Sequence, residues 1–133
     1  MILDNKNIII TGGAGGIGSS TTKALLKAGA NVAVIDKNKK GLELLKKSLK
    51  ISERNRAFFY NININNFIKV KKTINNFFLK KKTIHGLINN AAVLIDKPLV
   101  GFNKGKFSKY SLNDWNETLS SNLNGYFYVT REV

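Results

Sequence analysis

Thr11-Gly12-Gly13-Ala14-Gly15-Gly16-Ile17-Gly18 places five of the chain's 11 glycines in eight consecutive residues. Immediately before it, Asn7 to Thr11 is a short β-branched apolar run, which predicts a buried strand. After it, Ile17 to Ala30 predicts a helix, with Ala24, Leu25 and Ala28 on the apolar face and Gly29 as the stop. A glycine loop between a strand and a helix is where a phosphate-binding turn belongs. Each glycine has a physical use there. Gly12 permits a tight turn, Gly16 lets the backbone approach a pyrophosphate with no Cβ in the way, and Gly18 lets helix and strand pack closely. The helix N-terminus then offers free N–H groups and a partial positive charge to the phosphates. Two registers fit. Gly13, Gly15 and Gly18 satisfy G-x-G-x-x-G. Thr11, Gly12, Gly16 and Gly18 satisfy T-G-x-x-x-G-x-G and put the first glycine at the strand end, which favours the second.

About twenty residues past the loop, where a ribose-binding carboxylate is expected, Asp36 closes a second apolar strand, Asn31 to Asp36. Its oxygens can accept hydrogen bonds from the ribose hydroxyls of a dinucleotide and would repel a 2′-phosphate. That favours NAD over NADP, although the neighbouring Lys37 and Lys39 could accommodate the phosphate.

The remaining pattern continues the alternation. Lys39 to Leu49 is an amphipathic helix with leucines at 42, 44, 45 and 49. Ala57 to Ile62 reads as a third strand. Ile64 to Lys82 carries apolar residues at helical spacing, and Lys80, Lys81 and Lys82 at its end complement the helix dipole. Ile84 to Asn90 reads as a fourth strand. Ala91 to Ser111 is expected to be a long loop holding the only proline, Pro98, and a last helix follows from Leu112, capped by Ser111. Apolar strands alternating with helices imply an α/β domain over residues 1–133: a parallel sheet of about four strands, covered by helices on both faces. The fourth strand is expected to lie at an exposed edge, which is a hazard for association.

Composition narrows the classes of function. The chain has 133 residues, a net charge of +14 and no cysteine, so disulfides and thiolate metal sites are excluded. No apolar run approaches the roughly 20 residues that cross a bilayer, and a cytoplasmic protein is the simplest expectation. The positive charge is mostly lysine, spread along the chain among Asn, Ile and Phe. No aromatic residues interleave with the one tight cluster, Lys80, Lys81 and Lys82, as a single-strand stacking platform would require, so no specific nucleic-acid partner is expected. His85, the single histidine, opens a strand and is read as structural. No His/Asp/Glu cluster suggests a metal.

With these residues in place, the chain resembles the short-chain dehydrogenase/reductase family. Thr11 to Gly18 is similar to that family's cofactor loop. Asn89-Asn90-Ala91-Ala92 is similar to its N-N-A-G segment, with Ala92 as a departure. Asp114 to Phe127 (D-W-N-E-T-L-S-S-N-L-N-G-Y-F) is similar to its helix carrying a tryptophan or similar anchor and a later asparagine. The resemblance implies a Rossmann-like fold, incomplete in these residues. It implies a nicotinamide dinucleotide held by Thr11, Gly12, Gly16, Ile17 and Gly18, by Asp36, by Asn61 and Ile62 after the third strand, and by Asn89 and Ala91 after the fourth. Asn61 stands where the family usually has an aspartate near the adenine. Asn122 matches the catalytic asparagine, which helps hold a water in a proton relay. The implied reaction is hydride transfer between the nicotinamide and a carbonyl or alcohol carbon of a small molecule, by a homo-oligomeric enzyme.

That chemistry also needs a serine and a Tyr-x-x-x-Lys pair. The tyrosines at 60, 110, 126 and 128 are followed four residues later by Ile64, Asp114, Thr130 and Glu132, never by lysine. The resemblance implies that the missing segment lies past Val133, and that these residues alone are inactive. The alternative is a dinucleotide-binding module without turnover.

Overall fold

A computed structural model of the chain describes residues 2–133. Four parallel strands form the main sheet: β1 (Asn7–Thr11), β2 (Asn31–Asp36), β3 (Ala57–Asn61) and β4 (Gly86–Ile88), in the spatial order β3-β2-β1-β4. The chain steps outward from β1 through β2 to β3, then crosses back to place β4 on the other flank of β1.

Strand periodicity sorts the side chains between two cores. Ile8 and Ile10 of β1, Val32 and Val34 of β2, and Ile88 of β4 face one side; there they meet Leu26 of α1 (Gly16–Lys27), Leu42 and Leu45 of α2 (Lys39–Ser48), and Leu49. Ile9, Ala33, Ile35 and Leu87 face the other side. They pack against Val70, Ile74 and Phe77 of α4 (Phe67–Lys81) and Val129 of α6 (Tyr126–Glu132). β1 is buried at all five positions because both its faces are covered and both its edges are paired. An Ile10→Ala change there would cost about 2–5 kcal/mol. The parallel sheet covered on both faces agrees with the sequence expectation.

At the amino end of the sheet, polar side chains tie the strands together. The Asn7 side chain donates to Thr83 O at 2.9 Å and accepts from Asn31 Nδ2 at 3.0 Å. Asn7 N–H donates to His85 Nδ1 at 3.0 Å, which gives His85 the structural role expected of it.

The sequence expectations require correction at several boundaries. α2 ends at Ser48, and a separate short helix, α3 (Ile51–Arg54), follows it. Helix α4 begins at Phe67 rather than near Ile64, because Asn66 caps it by accepting Lys69 N–H at 3.0 Å. β4 is three residues long, shorter than the expected 84–90 span. The segment 91–111 is not all loop. It contains an antiparallel hairpin, β5 (Val100–Asn103) and β6 (Lys106–Lys109), which forms a second, two-stranded sheet. Its two-residue turn uses positive φ at both Lys104 and Gly105, which matches the twist of the flanking strands. The last helix is not continuous either: α5 (Leu112–Leu119) runs into a π-helical segment, Ser120–Gly125, before α6.

Candidate functional site

Because the chain leaves β1 toward one flank and β4 lies on the other, a crevice opens beyond the carboxyl ends of these strands. A cleft of about 480 Å³ occupies it. Its floor is the glycine loop and the first turn of α1. No side chain caps this helix and its first turn holds no acidic residue. The first-turn N–H groups of Gly16, Ile17 and Gly18, all on the cleft, are thus left to an anionic ligand.

The glycines divide by what surrounds them. Gly12 has φ +62°, and a Cβ on it would lie 2.7 Å from the Ala91 Cα. Gly18 lies against the Gly12 carbonyl. Gly16 has nothing within 4 Å of where its Cβ would stand, so its bare backbone faces open space. Gly13, in contrast, packs against Val34 and Ile10 and is absent from the cleft lining. This favours the T-G-x-x-x-G-x-G register over the one that begins at Gly13.

Thr11 is fully buried behind the floor. Its hydroxyl accepts the N–H groups of Asn90 and Ala91, both at 3.1 Å. The Asn90 side chain returns two bonds, to Thr11 O at 3.2 Å and Gly12 O at 3.0 Å. Thr11 and Asn90 together pin the end of β1 to the end of β4 and fix the glycine loop.

Asp36 stands at the cleft's rim. One carboxylate oxygen accepts Ala14 N–H at 3.0 Å and the other accepts Asn38 N–H at 2.8 Å. These bonds orient the carboxylate while leaving further lone pairs for a ligand. Lys37 lines the cleft beside it. Asn61 donates its side-chain amide to Asp36 O and Lys37 O, each at 3.0 Å, and Ile62 N–H donates to Asp36 O at 3.2 Å. Asn61 itself stays outside the cleft lining, whereas Ile62 is on it.

Two further sequence candidates also lie outside the lining. Asn89 turns away and donates to Thr130 Oγ1 of α6 at 2.9 Å. Asn122, on the π segment, grips the peptide of Val93 from both ends: Val93 N–H donates to Oδ1 and Nδ2 donates to Val93 O, each at 2.8 Å. Val93 is on the cleft wall. Thus Gly12, Gly16, Ile17, Gly18, Asp36, Ile62 and Ala91 meet at the cleft, while Thr11, Asn61, Asn89 and Asn122 brace it from behind or beside.

Sequence reasoning quoted Asn90 within the Asn89–Ala92 segment but gave it no contact of its own, and it missed Asn63, Ile64, Val93 and Ser121 as site residues; all five are on the lining. Alternation could have found Asn90, since successive residues of extended backbone face opposite ways and Asn89 faces α6. Val93 and Ser121 had no sequence signal of their own.

The hairpin is rooted close by. Tyr110 N–H donates to Leu99 O at 2.9 Å and Tyr110 Oη to Ile95 O at 3.2 Å. Lys97 Nζ donates to Asp114 at 2.6 Å. That bond, with a second from the Ser111 hydroxyl, holds the Asp114 carboxyl below its ordinary range, and the same contact raises Lys97. Burial pushes the Tyr60 hydroxyl up. Among the described residues, no group of three His, Cys, Asp or Glu is placed to hold a metal, and no helix is long and apolar enough to cross a membrane.

An uncapped helix end over bare glycine backbone, with an oriented carboxylate one strand away, is the arrangement found in dinucleotide-binding α/β folds. Comparison with known proteins agrees: the family model described as short chain dehydrogenase matches residues 6–133. The chain belongs to that family, whose members bind nicotinamide dinucleotides. It is 30% identical over 132 residues to chanoclavine-I dehydrogenase of Aspergillus fumigatus, covering 98% of this chain and 50% of that protein. It is 31% identical over 133 residues to the 3-oxoacyl-[acyl-carrier-protein] reductase FabG of Thermotoga maritima, covering 100% and 50%. Among solved structures, a short-chain dehydrogenase/reductase from Brucella melitensis, a glucose/ribitol dehydrogenase, superposes with a TM-score of 0.86 at 25% identity, covering 99% of this chain and 52% of that one. A short chain dehydrogenase from Bacillus anthracis gives 0.84 at 29% identity, covering 97% and 48%. The chain spans about half the length of the curated relatives it matches.

Proposed function

We propose that the protein carrying this chain is an oxidoreductase that moves a hydride between a nicotinamide dinucleotide and a carbonyl or alcohol carbon of a small molecule. The observation that carries this reading is the uncapped first turn of α1, set on glycine backbone at the floor of the cleft. The residues fit the group. Gly16 offers a phosphate the space a Cβ would fill, and Gly12 and Gly18 keep the floor in place. The bound dinucleotide supplies the redox chemistry. The chain's own residues bind and orient it: first-turn N–H groups hold the pyrophosphate, Asp36 accepts from the adenosine ribose, and Asn122 fixes the Val93 wall near the reacting end. In this reading Asn122 is also the asparagine of the proton relay, as its match to the family motif implies.

NAD is the preferred cofactor in this reading. The Asp36 carboxylate is held facing the rim, where a 2′-phosphate would meet a like charge. Calorimetric titration of the full-length protein tests both points. NAD binding at least tenfold tighter than NADP supports the assignment; equal affinities would show Lys37 offsetting Asp36, and no binding of either removes the cofactor reading altogether.

Relatives that are dehydrogenases and reductases support a carbonyl or alcohol substrate. A homo-oligomer is supported by the exposed apolar residues Leu112, Trp115, Leu123 and Phe127, which follow one another along α5, the π segment and α6. Within these 133 residues no tyrosine precedes a lysine by four. The second reading, a module that binds the dinucleotide without turning it over, holds only if the full-length protein carries no Tyr-x-x-x-Lys pair.

A further inference from the structure

The π segment holds both lips of the cleft. Asn122 grips Val93 on the lip that follows β4. Ser121, one residue earlier, meets the opposite lip, the loop between β3 and α4: its hydroxyl oxygen accepts an Asn65 side-chain N–H at 3.3 Å. Further along, a Cβ on Gly125 would stand 2.7 Å from the Ile64 side chain, so the helix backbone lies directly on that loop. Ser121 is buried, and Ser121 and Ile64 both line the cleft. Asn63 braces the loop internally, accepting Asn65 N–H at 3.0 Å through its side chain and Asn66 N–H at 3.1 Å through its carbonyl. Asn65 Oδ1 is buried without a partner. Among the described residues, Ser121 is what anchors this amide.

We infer that Ser121 is a positioning residue for the adenosine half of the dinucleotide, acting through Asn65. The inference rests on the cofactor reading above. Asp36 marks the ribose, and the loop that starts at Ile62, bonded to the Asp36 carbonyl, is the wall the attached base meets next. Between that bond and the α4 cap, the loop has no strand ladder to fix it. The Asn65–Ser121 bond fixes it instead, and fixes it to the same segment that holds Val93. One short stretch of helix therefore sets the separation of the two walls. Without the Ser121 hydroxyl, both ends of a buried amide are unpaired, and the loop relaxes outward to find water.

The test uses the full-length protein, with NAD and ADP-ribose as ligands, in wild type, Ser121→Ala, Asn65→Ala and the double variant. ADP-ribose carries the adenosine half without the nicotinamide. The expected result is a loss of about five- to tenfold in affinity for both ligands in each single variant, equivalent to one lost hydrogen bond. The double variant should be no weaker than either single one, because both remove the same bond. KM for the dinucleotide should rise by more than kcat falls. If Ser121→Ala fails to fold, Asn65→Ala, at a part-buried loop position outside both cores, decides the matter alone. Unchanged ADP-ribose affinity in the variants, or losses that multiply in the double variant, overturns the inference. Wild-type protein that binds neither ligand overturns the cofactor reading and this inference with it.

Discussion

Gly18 and Gly12 are packed so closely that a Cβ on Gly18 would lie 1.9 Å from the Gly12 carbonyl oxygen. The obstacle is backbone, so neither partner yields cheaply. Gly18→Ala should destabilise the chain by about 2–3 kcal/mol or more, seen as a lower urea midpoint with unchanged slope. Gly16→Ala is the matched control. Its Cβ would meet nothing within 4 Å, so stability should hold while dinucleotide affinity falls by about tenfold or more. Equal stability losses in both variants would show that the loop's glycines serve packing alone.

Asp36→Ala removes the acceptor for Ala14 N–H and Asn38 N–H. Hydrogen bonds to a charged group contribute about 1.5–3 kcal/mol each way, so NAD affinity should fall by about tenfold or more while NADP loses less. The ratio of the two dissociation constants is the quantity to measure. A ratio that does not move would show that Asp36 only shapes the turn.

Asn122→Ala leaves the Val93 N–H and C=O without their partner. The expected cost is about 2–3 kcal/mol in unfolding free energy, together with faster amide exchange at Val93. Exchange at Val93 unchanged from wild type would refute the grip described here.

Lys82 caps α4 in the left-handed region, at φ 64°, donating to Phe78 O at 2.6 Å. A non-glycine residue pays a steric penalty there. Lys82→Gly should raise stability by about 0.5–1 kcal/mol, although it removes a lysine from the helix end. Thermal unfolding reads the sign directly, and a lower Tm would mean that the charge outweighs the strain.

The Lys97–Asp114 pair at the root of the hairpin makes a pH-dependent contribution. Asp114 is depressed in the folded chain, so its contribution is complete above the unfolded aspartate value of about 3.9 and is lost as pH falls through the lower folded value. Lys97 is raised, so its part is complete below about 10.4 and is lost only as pH rises through its higher folded value. Between these limits the root should be insensitive to pH. NMR shifts of Asp114 and Lys97 that titrate between pH 5 and 9 would contradict this.

The sheet was legible because β1 and β2 are apolar on both faces and break into glycine or aspartate where they end. The floor and rim of the cleft were legible for the same reason: Gly12, Gly16, Gly18 and Asp36 owe their places to local backbone demands. What escaped was set by tertiary contact. Asn89 and Asn122 were picked out by the family motif, but their partners, Thr130 and Val93, lie 41 and 29 residues away, and no local pattern announces such a bond. The hairpin escaped because Lys104 supplies the positive φ that Asn or Asp usually provides at this turn. The π segment escaped because its extra residue per turn leaves no compositional trace.

The hairpin adds no residue to either core and is rooted by the Leu99–Tyr110, Ile95–Tyr110 and Lys97–Asp114 bonds. Its length and side chains are thus decoupled from the stability of the sheet. A lineage could lengthen, trim or rewrite it without weakening the fold, and the surface beside the cleft is free to diverge while the floor beneath it stays fixed.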